Sequence, residues 1–298
     1  MTKDEINNLL TSTEILMNNV YWYKQEFTTN PKKEHIGSAI NYTDIKERRD
    51  NFIRELINTI NSWVYSKSKV KEIVQERIDL TGDHANAYSH LTHLAKTKFR
   101  KGHPQGQFGE LLLFNFIQHV FKAVPLLRKM PLTTSIGHER FGADAIHYKI
   151  EDDKNLFLLG ESKCYESKYK FNEAFKESVN SIYNTFENID KELGLYVYDD
   201  FIEDDLKNIA KQYKTNILKN VHFELVCIII YDENNNILGK TEEEIKKSIA
   251  SIIENRLSKT GTLDCFNGKE QRIIDRINYI IFPFWKLNKV LEEFETAM

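Results

Sequence analysis

The segment that most constrains the fold is residues 221–231, VHFELVCIIIY, which is rich in β-branched side chains. Its apolar run is far too short to cross a bilayer, and its length favours a strand inside a globular core. Strands that are apolar on both faces are typical of sheets covered by helices. A chain of 298 residues is long enough to bury such a core.

The neighbouring segments complete an α/β pattern. Residues 109–123, GELLLFNFIQHVFKA, are apolar nearly all round and predict a helix buried against a sheet. Residues 124–132, VPLLRKMPL, predict a short strand weakened by its prolines. Two strand-like runs, FGADAIHYKI and NLFLLGESKCY, flank an acidic turn, and an amphipathic helix over residues 168–189 follows. Helix, strands, helix and strand in this order predict an α/β core.

The regions on either side of this core are predicted to be mainly helical. Residues 43–67 place apolar side chains at helical spacings, and the C-terminal third, including DRINYIIFPFWKLNKVLEEF, also favours helices. A basic, glycine-broken segment at residues 96–107 separates the N-terminal pattern from the core. We therefore predict a helical N-terminal region over residues 1–100 and a catalytic domain over 101–298, with its core at about 107–232.

Composition and motifs exclude several classes of protein. The net charge is −3, so the field of the whole molecule would not gather nucleic acid. Three widely spaced cysteines exclude a disulfide framework or a zinc ribbon. Phosphate-cradling glycine motifs are missing, so ATP-driven work would come from a partner. The polar start and the lack of a long apolar run predict a soluble, cytoplasmic protein with no membrane segment.

The two strand-like runs predict a hairpin whose tip is Asp152 and Asp153. This register produces two apolar pairs and one acidic pair: Tyr148 with Phe157, Ile146 with Leu159, and Asp144 with Glu161. Opposed like charges destabilise a sheet, and a divalent cation between the carboxylates would compensate. Lys163 projects to the same face as Glu161, because side chains alternate along a strand. Its side chain would orient an attacking water, deprotonate it as the neutral amine, or as an ammonium neutralise charge on a phosphate.

Glu110 is the fourth candidate for the site. It is placed in the first turn of the apolar helix, and it is the only acidic residue between Pro104 and His138. A carboxylate on a segment otherwise suited to burial requires a reason. Packed against the hairpin, Glu110 would supply another metal ligand or shape a second ion site, as two-metal phosphodiester cleavage requires.

The motifs at these positions resemble those of the PD-(D/E)xK nuclease superfamily. Gly-Glu stands on a helix, Asp144 occupies the place of the superfamily's aspartate, and residues 161–163 supply its E-x-K. One departure is Ala143, which stands where many members have proline. The resemblance implies a restriction-endonuclease-like core and Mg²⁺ as cofactor, with Mn²⁺ as an alternative. It also implies that the Ser162 carbonyl is a metal ligand beside the three carboxylates.

A narrower resemblance covers more of the chain. The length, the helical N-terminal part, GQFGELLLF and the spacing of FGADAIHY from LLGESK resemble the HamA family, the nuclease subunits of Hachiman anti-phage defence. The resemblance implies a DNA nuclease bound to and controlled by a superfamily 2 helicase, HamB. The missing ATP motif and the acidic net charge agree with this dependence without demanding it. Two alternatives stay open: a nuclease of another defence or DNA-repair system, and a fold kept as a non-catalytic scaffold.

Basic residues near the candidate site are weaker signals. Lysine and arginine would add salt-dependent affinity for DNA phosphates. A solvated loop explains the basic residues at 96–101 equally well, whereas the two lysines just after the E-x-K strand have a slightly better claim because they would lie at the mouth of the site. The candidates are Lys96, Lys98, Arg100, Lys101, Lys168 and Lys170. His90 and His93 lack a third ligand at a suitable spacing, so we interpret them as packed or surface histidines.

Overall fold

The computed structural model describes residues 2–100, 102, 104–128, 142–167, 170–191 and 204–298. Within these ranges the strands are β1 (Val20–Glu26), β2 (Glu34–Ile40), β3 (Tyr42–Thr43), β4 (Lys46–Glu47), β5 (Val124–Leu127), β6 (Ala145–Glu151), β7 (Lys154–Tyr165), β8 (Val221–Asp232) and β9 (Ile277–Phe284). The helices of the first half are α1 (Lys3–Asn7), α2 (Glu14–Met17), α3 (Arg49–Asn58), α4 (Ile60–Val64), α5 (Lys67–Thr81), α6 (His84–Lys96) and α7 (Pro104–Phe121). Those of the second half are α8 (Phe171–Glu187), α9 (Lys207–Lys214), α10 (Glu242–Leu257), α11 (Gln271–Ile274) and α12 (Leu287–Ala297).

Seven strands form one mixed sheet in the order β1-β2-β9-β8-β7-β6-β5. β2, β9, β8 and β7 run parallel at its centre, whereas β1 at one edge and β6 and β5 at the other are antiparallel additions. β8 occupies the middle position, and its residues from Leu225 to Tyr231 are buried. The central strand and the α/β class predicted from sequence are therefore confirmed.

Helices cover both faces of the sheet, so the core lies in two apolar layers. α7 packs on one face together with α3, α4 and α12, and α8 packs on the other with α9 and α10. The alternation of side chains along β7 divides its residues between the layers: Phe157 and Leu159 contact the α8 layer, and Leu156 and Leu158 the α7 layer. We refer to these as the α8 face and the α7 face. None of the described helices is long and apolar enough to span a lipid bilayer.

The predicted long helix over residues 43–67 is wrong in its first part and interrupted in its second. β3 and β4 pair across a turn in which Asp44 has a φ of 56°. α3 starts only at Arg49, and α4 ends at Val64 because Tyr65 is extended. A new helix, α5, then begins with the Ser66 side chain accepting from the Lys69 N–H. Apolar spacing alone did not show these local stops.

Two further strand regions were expected to be helical. In the N-terminal region, β1 and β2 belong to the main sheet, so the sheet contains strands from both sides of the predicted division near residue 100. β2 contains Gly37, where a Cβ would overlap the ring of Tyr23. Glycine marks such close approaches but weakens the strand signal. In the C-terminal region, β9 is a short buried apolar run, and periodicity cannot distinguish such a run from a buried helix segment.

Candidate active site

The hairpin formed by β6 and β7 builds the centre of the site. Asp152 and Asp153 form its tip with φ values of 48° and 59°, as a two-residue type I′ turn requires. The predicted register is confirmed for the apolar pairs: Tyr148 with Phe157 and Ile146 with Leu159. The ladder ends at Ala145 opposite Gly160, so Asp144 lies one residue beyond the last pair. The predicted pairing of Asp144 with Glu161 inside the ladder is therefore wrong, and the Asp144 side chain contacts the backbone of β7 instead.

Asp144 is held against the end of β7 by hydrogen bonds to its backbone. The Asp144 N–H donates to the Gly160 carbonyl at 2.8 Å. The Asp144 carboxylate accepts through Oδ2 from the Ser162 N–H, also at 2.8 Å. These two contacts bracket Glu161 along the strand, so they place the Asp144 carboxylate next to the Glu161 position.

Glu161 is a buried carboxylate, 4% exposed, on the α8 face of β7. Its Oε1 lies 3.0 Å from Lys163 Nζ, and the Ser181 side chain on α8 also forms a hydrogen bond to it. Burial and the charge of Asp144 raise the pKa of Glu161 to about 7, and Lys163 and Ser181 offset this only in part. A cation beside this carboxylate would favour the charged form of Glu161.

Lys163 lies two residues after Glu161 on the α8 face of β7, and the two side chains form a polar row on that face. Burial by itself would lower the pKa of its ammonium, but Glu161, Asp144 and Glu177 outweigh that effect and raise the pKa above its ordinary value. The side chain is therefore held as a cation. This favours a role in orienting water or neutralising phosphate charge over a role as the base.

The donor set at this end of β7 fits a hard cation. In a strand, the N–H and C=O of one residue point to the same side. Because the Ser162 N–H points to Asp144, the Ser162 carbonyl faces the same edge, beyond the end of the β6 ladder. Two carboxylates and a carbonyl are oxygen ligands of the kind that Mg²⁺ binds, with water and phosphate filling the remaining positions. Among the described residues, no group of three or more His, Cys, Asp or Glu side chains forms a metal site.

Glu110 lies on α7, on the other side of β7 from α8. Its predicted position in the first helical turn is wrong, because α7 begins at Pro104 and Glu110 falls in the second turn. The preceding residue, Gly109, lies against β7, where an added Cβ would be 3.1 Å from Ser162 Oγ. α7 therefore approaches the same end of the strand, and the role of Glu110 as a ligand stays a prediction.

Sequence reasoning missed two polar residues of α8 that face the site. Ser181 binds Glu161, and Glu177 accepts a hydrogen bond from the Tyr165 hydroxyl and acts electrostatically on Lys163. The two residues are four apart and therefore share one side of the helix. The available signal was a polar pair at helical spacing on the helix that follows the E-x-K strand.

Only one of the predicted DNA-binding lysines is placed near this row by the described contacts. Lys170 immediately precedes α8, with its Nζ 5.7 Å from the centre of the Tyr165 ring and 3.6 Å from Glu173. Tyr165 shares the α8 face of β7 with Lys163. Lys101 and Lys168 lie outside the described residues.

The other basic candidates lie at the end of α6 and in the loop after it. Lys96 Nζ donates to the Ala297 carbonyl at 2.6 Å, and the Arg100 N–H donates to Gln107. The neighbouring Phe99 packs in the α7 layer. Lys96, Lys98 and Arg100 therefore flank α7 rather than α8, and their contact with DNA stays a prediction.

Fold and site together define an α/β protein in which two carboxylates and a lysine meet beside the end of the hairpin formed by β6 and β7. The family model HamA matches residues 17–298 of the chain. The chain belongs to the HamA family and is a Hachiman defence protein. No curated protein matches it.

Proposed function

We propose that this Hachiman defence protein is a Mg²⁺-dependent deoxyribonuclease of the PD-(D/E)xK type. The observation that carries the proposal is the contact of Lys163 with the buried Glu161 carboxylate, beside Asp144. Buried charges of like sign are costly to hold together and are typical of functional sites. An α/β domain used only as a scaffold has no need of them.

The side chains divide the work of phosphodiester hydrolysis between them. Asp144, Glu161 and the Ser162 carbonyl would hold the metal, and Glu110 would complete the acidic site. A bound Mg²⁺ supplies Lewis-acid polarisation of the phosphate and a more acidic water. Lys163 orients the attacking water and neutralises charge that develops on the phosphate oxygens.

We further propose that a superfamily 2 helicase, HamB, delivers DNA to this site and controls its use. The chain has a net charge of −3 and no nucleotide-binding glycine motif, so a partner would provide both DNA engagement and ATP hydrolysis. Family membership supports such a partnership.

The test is plasmid degradation in Mg²⁺, with and without the helicase, by wild type, Glu161→Ala and Lys163→Ala. The hairpin offers a matched control: Lys149 Nζ and Glu151 Oε2 are also 3.0 Å apart at the opposite end of β6. We expect EDTA and both site substitutions to abolish cleavage, and Lys149→Ala to leave it unchanged. Cleavage that survives Glu161→Ala would assign the activity to another site, and no cleavage by any sample would favour the scaffold.

A further inference from the structure

The α8 side of Glu161 contains a polar contact that the proposed chemistry does not use. Glu161 is approached by Lys163 from its own strand, by Asp144 from the segment before β6, and by Ser181 from α8. We propose that Ser181 is a positioning residue: its hydroxyl donates to the Glu161 carboxylate and fixes the orientation in which that carboxylate binds a divalent cation. This inference rests on the proposed nuclease function.

Ser181 is presented by a rigid part of the helix. Val179 and Ile182, two residues before and one residue after Ser181, are fully buried in the α8 layer, and Ser178 is buried as well. A hydroxyl on such a helix has few alternative positions, because packing fixes the backbone that carries it. Ser181 can therefore constrain Glu161 from the helix, in addition to the 3.0 Å contact of Lys163 from the strand.

The contacts of α8 along β7 also set the position of Ser181. Glu177, one turn before Ser181, accepts a hydrogen bond from Tyr165, and Tyr165 lies four residues after Glu161 on the same face of β7. Helix and strand thus meet at two polar contacts in antiparallel order. This arrangement aligns Ser181 with Glu161.

The number of acceptor positions on the Glu161 carboxylate explains why a hydrogen bond from Ser181 still leaves room for a metal ion. A carboxylate has about four acceptor positions on its two oxygens. Lys163 lies against Oε1, and Ser181 uses another position, so positions remain for a cation. Side chains that orient a metal ligand from outside typically account for about 10–100-fold in metal affinity or activity.

The experiment measures Mn²⁺ binding to the full chain by electron paramagnetic resonance, without DNA, for wild type, Ser181→Ala and Ser181→Thr. Ser178→Ala is the matched control, because the Ser178 hydroxyl is buried three residues away and has no hydrogen-bond partner within the described chain. We expect Ser181→Ala to weaken Mn²⁺ binding about tenfold. Ser181→Thr, which keeps the hydroxyl, should bind within about threefold of wild type, and Ser178→Ala should match wild type.

A second readout separates positioning from general loss of structure. The Mg²⁺ concentration for half-maximal DNA cleavage should rise in Ser181→Ala by a factor similar to the loss of Mn²⁺ affinity, with thermal unfolding unchanged. Equal Mn²⁺ affinity in Ser181→Ala and wild type would overturn the inference, as would an equal loss in Ser178→Ala. Wild type that binds no Mn²⁺, or Glu161→Ala that binds it normally, would instead overturn the nuclease site itself.

Discussion

The hairpin has a lysine–glutamate pair at each end. The two pairs have the same residue types and the same nitrogen–oxygen distance, but they differ in burial. Glu161 and Lys163 at the open end, and Lys149 and Glu151 near the tip, each place nitrogen and oxygen 3.0 Å apart. The Glu161 side chain is 5% exposed, whereas that of Glu151 is 53% exposed. Glu161 is buried beside Asp144 and under α8, whereas Glu151 lies at the exposed end of the hairpin. The pattern of residue types is therefore common, and burial with a like charge is what marks a site.

The substitution with the largest expected effect tests whether cleavage depends on the Glu161 end of the hairpin alone. Glu161→Gln keeps the shape of the side chain and removes its charge, so metal-dependent cleavage should fall by about a thousandfold. Stability should be unchanged or higher, because the repulsion from Asp144 is removed. Glu151→Gln, the matched change at the tip, should alter cleavage less than twofold and stability by less than about 0.5 kcal/mol. Plasmid cleavage and urea unfolding measure both, and equal losses from the two substitutions would contradict the comparison.

A second prediction concerns packing on the α7 face of the open end. A Cβ added at Gly160 would be 2.8 Å from Leu113 Cδ2, 3.0 Å from Ala145 Cβ and 3.1 Å from Ile117 Cδ1. Gly160→Ala should therefore lower the free energy of unfolding by about 2 kcal/mol. Gly106→Ala is the control, since nothing lies within 4 Å of its added Cβ. Urea unfolding should show no loss in that variant, and equal destabilisation of both would refute the packing argument.

His147 tests what burial does to a titratable group on which no residue of opposite charge acts among those that the structure describes. It is 1% exposed on the α7 face between the two ends of the hairpin, and neither ring nitrogen has a hydrogen-bond partner within the described chain. Burial, with a smaller contribution from Arg128, lowers the pKa of His147 to about 3. The folded state thus keeps the ring neutral at pH values where the unfolded state takes up a proton.

This difference predicts a pH dependence of stability with a defined sign. The contribution is complete above about pH 6.5 and is lost as pH falls toward 3, by up to about 1.4 kcal/mol per pH unit. His147→Leu should remove that slope. The measurement is urea unfolding of both proteins between pH 7 and 5, in which the difference between them isolates this group. Parallel curves would contradict this, because they would show that His147 takes up a proton as readily in the folded state as in the unfolded state.

Sequence predicted the hairpin well because each of its features is local. The tip at Asp152 and Asp153 and the pairing of Ile146 with Leu159 follow from turn chemistry and alternation over a short stretch. The raised pKa of Lys163 comes mainly from Glu161 on the same strand and from Asp144, with a smaller contribution from Glu177 on α8. Spacing along the strand predicts the contact with Glu161, but it cannot predict the contribution of a separate helix.

Other features depended on distant parts of the chain and were missed. β9 became a strand because it fits between β8 and β2, which flank it in the sheet from far away in sequence. The contact of Ser181 with Glu161 likewise depends on how α8 packs across β7. Apolar patterns in the sequence identify which segments are buried. Pairing with strands that are distant in sequence decides whether a buried segment becomes a strand or a helix.

The smallest expected effect concerns DNA affinity at the two ends of β7. Lys170 follows the open end and its side chain is 49% exposed, while Lys154 begins the strand at the tip and is also exposed. If DNA reaches the Glu161 end, Lys170→Ala should weaken binding about threefold and reduce the dependence on log salt by about one. Lys154→Ala should change neither, because it lies ten or more residues along the strand from Tyr165. Fluorescence anisotropy with duplex DNA in EDTA, at several salt concentrations, measures both quantities. Equal losses from the two variants would mean that DNA binds along the whole hairpin, and the contrast between its ends would then apply to catalysis alone.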